Sequence, residues 1–218
     1  MKKIAVFGAG GFGREVKMLI DQINEKTPTY EFVGFFDDGE PKGKMVNGFP
    51  VLGGKDELND YPEALCIAYA VGNPATKKII VDGLTNPNVS TPALIHPNVY
   101  VGKDDVTIGD GCIICAGCVI TVNIKIGRFV ILNLGCTVGH DTIIEDHASF
   151  MPSVNISGEV LIKEGVYAGT GAKIINQLEI GLYTIVGAGA VVSKTLPDYC
   201  TAVGIPAKPI KFHNVVNN

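Results

Sequence analysis

The 218-residue sequence contains no tryptophan, and aromatic residues make up only 7% of it. A core here cannot rest on large rings and must be assembled from small and branched aliphatic side chains. Charge is also sparse, at 18% against 46% hydrophobic residues. A disordered chain has the reverse balance, so a folded chain of one or two domains is expected. Neither sign of charge dominates, since 18 Lys and Arg against 22 Asp and Glu leave a net charge of -4. A basic footprint for nucleic acid is therefore missing, although backbone N–H groups can still bind an anion locally. Six cysteines are too few for a disulfide scaffold. No apolar run reaches the roughly 18 residues of a membrane span. The opening Met1-Lys2-Lys3 imitates a signal peptide. The apolar stretch behind it is short, glycine-broken and followed by Arg14 and Glu15, so a strand and turn of a cytoplasmic protein is expected.

What the sequence does have is glycine, 27 residues of it, and a rhythm. Stepping by six from Ile108 meets Ile114, Ile120, Ile126, Leu132, Val138, Ile144, Phe150, Ile156, Ile162, Ala168, Ile174, Ile180, Val186 and Val192. Fifteen apolar residues in succession arise by chance on the order of once in 100,000 at this composition. Four residues after each lies a second set, small or aliphatic throughout, from Cys112 and Cys118 to Ala190 and Leu196. A period of six fits a short strand plus a turn, and three such units close a triangular coil of about 18 residues. The expectation is a left-handed parallel β-helix over residues 92–218, contrary to the usual crossover hand. Ile95 and Val101 continue the phase upstream, with one extra residue before Ile108.

Residues 1–91 lack this period. Residues 3–7 read as a buried strand, Val16, Leu19, Ile20 and Ile23 as one face of a helix, and 31–36 and 65–71 as further strands. Asn73-Pro74 is a helix start, with Ile79 and Ile80 on the apolar side. Together these predict a Rossmann-like α/β domain. Gly8, Gly10 and Gly13 form G-x-G-x-x-G between strand and helix, a cradle for a phosphate at a helix N-terminus or else a turn needed only for packing. Asp37 ends the next strand, where a carboxylate could accept from a ribose or a base.

The spacing Cys112-x-x-Cys115-x-x-Cys118 imitates a zinc site. Cys112, Cys118 and Cys136 all fall in the second inward register, so no metal is expected and small apolar filler accounts for them. His140 and His147 fall outside both inward registers and should lie at turns on the outside of the prism. A neutral imidazole there can serve as a general base, with Asp141 adjacent to orient it.

These residues resemble a known family. The hexads, Val186-Gly-Ala-Gly-Ala-Val-Val-Ser-Lys194 and Val203-Gly-Ile-Pro-Ala-Lys-Pro209 are similar to those of acyl-CoA-dependent acyltransferases. With Gly-Ala-Gly-Gly-Phe-Gly-Arg-Glu-Val at 8–16, Gly34-Phe-Phe-Asp-Asp38 and Gly48-Phe-Pro-Val-Leu-Gly53, nearly the whole chain resembles the NeuD/PglD-type sugar acetyltransferases. The resemblance implies a homotrimer with acetyl-CoA in the groove between neighbouring prisms. It implies an N-terminal domain that takes a nucleotide-linked amino sugar, UDP-linked in the best-understood branch, without NAD. His140 would be the catalytic base, Asp141 would raise its basicity, and Asn133 would match an active-site Asn. His147, Gly169, Gly187 and Lys208 would meet acetyl-CoA, and Gly10, Gly11, Phe12, Asp37 and Asp38 the sugar nucleotide. Two positions depart from the pattern: Asp141 stands where Glu is common, and Gly11-Phe12 where Ser and His are.

The expected activity is N-acetylation of the amino sugar, with O-acetylation of a sialic acid or similar hydroxyl as the alternative. A γ-type carbonic anhydrase would need three metal-binding histidines, and only His140 and His147 lie close in sequence. A nicotinamide dehydrogenase fused to a prism lacks a catalytic domain. A non-enzymatic scaffold would not bind acetyl-CoA.

Overall fold

The computed structural model describes residues 1–213 and shows two units packed on each other. The first is a six-stranded sheet in the order β3-β4-β2-β1-β5-β6. Its elements are β1 (Lys2–Phe7), α1 (Gly11–Lys26), β2 (Tyr30–Phe36), β3 (Met45–Val46), β4 (Phe49–Gly53), α2 (Lys55–Asn59), β5 (Leu65–Tyr69), α3 (Pro74–Asp82) and β6 (Val89–Ser90). All pairs are parallel except β3–β4. The chain leaves β1 for β2 on one side and returns to β5 on the other, so β1 stands at the switch point where such sheets bind ligands. Of the expected face of α1, Val16, Leu19 and Ile20 are buried and Ile23 partly so, and Gly13 is buried with them. Gly13 is required there, because a Cβ would sit 1.8 Å from the Gly8 carbonyl oxygen.

Two features of this unit differ from expectation. The hairpin β3–β4, the five-residue α2 and the edge strand β6 are too short for a periodic pattern to show. Helix α3 starts as predicted, with Asn73 Oδ1 accepting from Thr76 N at 2.9 Å and Pro74 at the first position. Its buried residues, however, are Pro74 and Lys77, while Ile79 is 59% exposed and Ile80 partly buried. The helix is docked against the second unit, and that contact decides which face is covered.

The second unit is the left-handed parallel β-helix. Its strands, two or three residues long through Val191–Val192, stack into three faces. Ile114 through Val192 of the six-residue ladder are each at most 4% exposed and form one continuous core. Cys112, Cys118 and Cys136 join that core as expected. Successive coils pair at a spacing of eighteen, for example Thr137 with Asn155 and Asn155 with Lys173. The extra residue falls between the strands Tyr100–Val101 and Val106–Ile108, since Val101 pairs with Ile120 but Ile108 with Ile126. The last coil is two residues short: Ile180 bridges to Leu196 and Val186 pairs with Ala202. Leu196 therefore stands in the first column, not the second as the uninterrupted count of six implied. The strand Lys208–Phe212 turns back antiparallel on Cys200–Val203.

Each corner of the prism carries a column of left-handed backbone. One holds Gly117, Gly135, Ser153, Gly171 and Gly189. The second holds Asp105, Asn123, Asp141, Glu159 and Gln177, with φ from 47° to 60°. The third holds Gly111, Phe129, His147, Gly165, Tyr183 and Tyr199. The first column is small, the second polar, and the third mainly aromatic, with rings stacked between coils. The α/β unit lies over the face bearing Leu94, Ile113 and Ile131, which share one apolar cluster with Ile4, Val16 and Ile20.

Candidate active site

His140 and Asp141 sit on the polar corner, and their side chains are 56% and 48% exposed. His140 Nδ1 lies 2.7 Å from Asp141 Oδ2. Asp141 Oδ1 accepts a second bond, from Asn123 Nδ2 at 2.9 Å. These two bonds, His140's first, hold the Asp141 carboxyl below its ordinary range. A ring that donates through Nδ1 keeps Nε2 as a lone-pair acceptor, the form a general base needs. The shorter acid at position 141 therefore reaches the imidazole.

The other expected residues do not gather around this pair within one chain. Asn133 follows the strand Ile131–Leu132 and His140 follows Thr137–Val138, while His147 follows Ile143–Ile144, so the three occupy three successive corners. Asn133 is 5% exposed, and its Oδ1 accepts from Leu134 N at 2.7 Å.

His147 corrects the expectation of an outward, open histidine. It is at a turn outside the prism core, but only 5% exposed, stacked on Phe129 at 5.3 Å beneath the α/β unit. Burial, followed by the charges of Lys77 and Lys78, lowers its pKa, and its Nδ1 has no hydrogen-bond partner among the described residues. Beside it Lys77, 1% exposed, reaches across from α3 to donate to Ser149 Oγ at 2.9 Å. Burial brings that ammonium down to about 7. Sequence reasoning missed Lys77, because a lysine among helix residues reads as solvated.

Gly169 and Gly187 stack eighteen residues apart, and their lack of a side chain has a packing cause: a Cβ would lie 2.6 Å from Ala188 N and 2.7 Å from Val203 Cγ1 respectively. Lys208 is exposed on the C-terminal strand. None of these residues, nor His147, lines the apolar groove of about 860 Å³ between α3 and the prism, which is walled by Tyr167, Tyr183, Ile185 and Ile79.

The glycine loop forms a second centre. Gly10 is the N-cap of the 16-residue α1, with no side-chain cap and no acid in the first turn. Nothing lies within 4 Å of where a Gly10 Cβ would be, and Gly11 is exposed too. The open N–H groups and the helix dipole favour an anion. Phe12 is half-buried and packs with the apolar cluster shared by both units. Asp37 is tied to the loop, accepting from Ala9 N at 2.7 Å and Gly39 N at 2.8 Å. Asp38 accepts from Lys55 N at 2.7 Å, at the start of α2. The two acids border a cavity of about 440 Å³ with Gly53, Gly54 and Lys42. Both carboxylates thus organise backbone as well as facing open space. Among the described residues no group of three or more His, Cys, Asp or Glu side chains could hold a metal ion, and no helix is long and apolar enough to cross a membrane.

A stacked hexapeptide prism bearing an outward His–Asp pair, joined to an α/β domain with an open glycine loop, defines the class of hexapeptide-repeat acyltransferases with an added N-terminal domain. Residues 3–84 match the PglD N-terminal domain family. The GDP-perosamine N-acetyltransferase of Escherichia coli O157:H7 is 33% identical over 217 residues, 97% of each chain. The acetyltransferase domain of PglB from Neisseria gonorrhoeae FA1090, solved with acetyl coenzyme A, superposes with a TM-score of 0.87 at 35% identity, covering 96% of this chain and 99% of that one. PerB from Caulobacter crescentus, solved with CoA and GDP-perosamine, superposes at 0.85 and 29% identity, covering 97% and 98%. The chain belongs to the PglD-type sugar N-acetyltransferase family of hexapeptide-repeat proteins.

Proposed function

We propose that this protein transfers the acetyl group of acetyl-CoA to the amine of a nucleoside-diphosphate-linked amino sugar, with His140 as the general base. The observation that carries the reading is the His140–Asp141 pair at 2.7 Å, the ring half exposed on an otherwise structural corner. Nε2 takes a proton from the acceptor nitrogen as that nitrogen attacks the thioester carbonyl. A tetrahedral oxyanion forms, the C–S bond breaks, and the thiolate of CoA leaves with the proton His140 received. The new bond is the amide, and no acyl-enzyme intervenes. Relatives solved or named with CoA, acetyl-CoA and GDP-perosamine support the substrate classes. The open N-terminus of α1 suits the diphosphate, with Gly10, Gly11, Phe12, Asp37 and Asp38 around the nucleoside. Lys208 supplies positive charge for a CoA phosphate, and Gly169 and Gly187 let the cofactor approach the backbone.

Because Asn133, His140 and His147 lie on three corners, a site drawing on more than one of them needs a second copy, and we assign the working form as a homotrimer. The test is turnover of acetyl-CoA against UDP-, GDP- and dTDP-linked amino sugars and free sialic acids, with wild type and His140→Ala. The variant should lose most turnover while light scattering still gives a trimer. Near-wild-type activity in it would sink the assignment. A hydroxylamine-labile product would mark an ester and favour O-acetylation.

A further inference from the structure

We propose that Asn123 is a positioning residue for His140, acting through Asp141. The inference rests on the reading of His140 as the base and extends it to a residue one coil away.

Asn123 stands eighteen residues before Asp141 on the polar corner, and both have left-handed backbone, φ 55° and 57°. The stacking therefore aims their side chains along the same edge. Asp141 presents one carboxylate oxygen to each neighbour: Oδ2 to His140 Nδ1 at 2.7 Å and Oδ1 to Asn123 Nδ2 at 2.9 Å. A carboxylate held at one oxygen can turn about its last torsion, which is broad for Asp. Held at both, it stays in the plane that receives the imidazole proton.

The next coil shows why the second hold matters. Glu159 follows Asp141 in the column, so two carboxylates are adjacent there, and like charges repel. Asn123 takes Asp141 on one side, and on the other Gln177 Nε2 donates to Glu159 Oε2 at 3.2 Å. The two amides flank the acid pair and draw its members apart. Without Asn123, Asp141 is free to swing off His140, both imidazole tautomers become open, and the fraction with a free Nε2 lone pair falls.

The test uses Asn123→Gly, which removes the amide and suits a left-handed backbone, so the corner keeps its shape. Wild type, N123G, Asp141→Ala and the double variant are compared in two measurements. In steady-state assays N123G should lower kcat roughly tenfold with both KM values unchanged, and should add nothing to the loss in the Asp141→Ala background. In nitrogen-15 spectra of the substrate-free protein, the His140 signals should move from the Nδ1–H tautomer toward a mixture in N123G. Wild-type kcat together with unmoved His140 signals overturns the proposal, as does full additivity with Asp141→Ala. If wild type acetylates no amino sugar, the proposed function fails, while the tautomer measurement still decides the role of Asn123.

Discussion

The imidazole of His140 rests on Gly158, eighteen residues further along the chain. A Cβ at position 158 would lie 2.5 Å from both Cε1 and Nε2 of the ring. The glycine is buried beneath the ring, and the ring, half exposed, is what would have to move outward to make room. The φ of Gly158 lies outside the left-handed region, so alanine there would not strain the backbone. Gly158→Ala should therefore fold and push only the ring. A misplacement of about 1 Å at a reacting group costs on the order of 100-fold in rate. Melting within a few degrees of wild type combined with a collapsed kcat is the expected pair of results, and an unchanged kcat would show that the ring position is not critical.

Asp37 is expected to act through the loop it holds. Its two oxygens accept from Ala9 N and Gly39 N, which fixes the chain entering the open N-terminus of α1 to the end of β2. Asp37→Ala leaves those two N–H groups without their acceptor, and hydrogen bonds to a charged group contribute about 1.5–3 kcal/mol. The KM for the sugar nucleotide should rise about tenfold or more, with the KM for acetyl-CoA unchanged. Equal changes in both constants would mean that the glycine loop does not bind the acceptor.

The hexad ladder was readable because an apolar column repeating every six residues leaves its mark on each coil. Short or broken elements were not. Asn47-Gly48, with φ 48° and 84°, is the two-residue turn that makes the β3–β4 hairpin, and the dipeptide is a signal for it. His140 beside Asp141 was legible from sequence, and Asn123 could have been found by counting eighteen back from Asp141. The covering of His147 was not legible, since it depends on how α3 docks across the prism. The same docking buries Lys77 and leaves Ile79 outside, against the pattern of the helix taken alone.

Lys77 makes stability depend on pH in a defined sense. Burial lowers its folded pKa from 10.5 to about 7. Between those values Lys77 binds more protons in the unfolded chain than in the folded one, so its contribution to stability rises with pH across that window and is lowest, and level, below it. Lys77→Met removes the penalty while keeping the volume. It should stabilise the protein by on the order of 2–4 kcal/mol at pH 7, less the cost of leaving Ser149 without its donor. Denaturant midpoints from pH 7 to 10 should rise in wild type and stay flatter in the variant. A variant that is less stable at pH 7 would mean that Lys77 contributes more through Ser149 than its desolvation costs.

The cysteines should be chemically silent. All six are free and buried. Burial pushes the Cys112 thiol up to about 11 and the Cys115 thiol up to about 12. Cys118 is shifted the other way, lowered chiefly by its hydrogen bond with the Cys136 thiol, and it is its burial at 1% exposure that keeps it from reagents. At pH 7.5 the thiolate fraction at Cys112 and Cys115 is then on the order of one in 1,000 or less, too small for a nucleophile. Direct transfer to the acceptor amine needs none. Initial-rate patterns with both substrates varied should intersect, as a ternary complex requires, and iodoacetamide should leave activity intact in the native protein. Enzyme mixed with acetyl-CoA alone should show no acetyl group on Cys112, Cys115 or Cys118 by intact and peptide mass spectrometry. An acetyl-cysteine formed and then discharged by the acceptor would replace the His140 base mechanism with a covalent one.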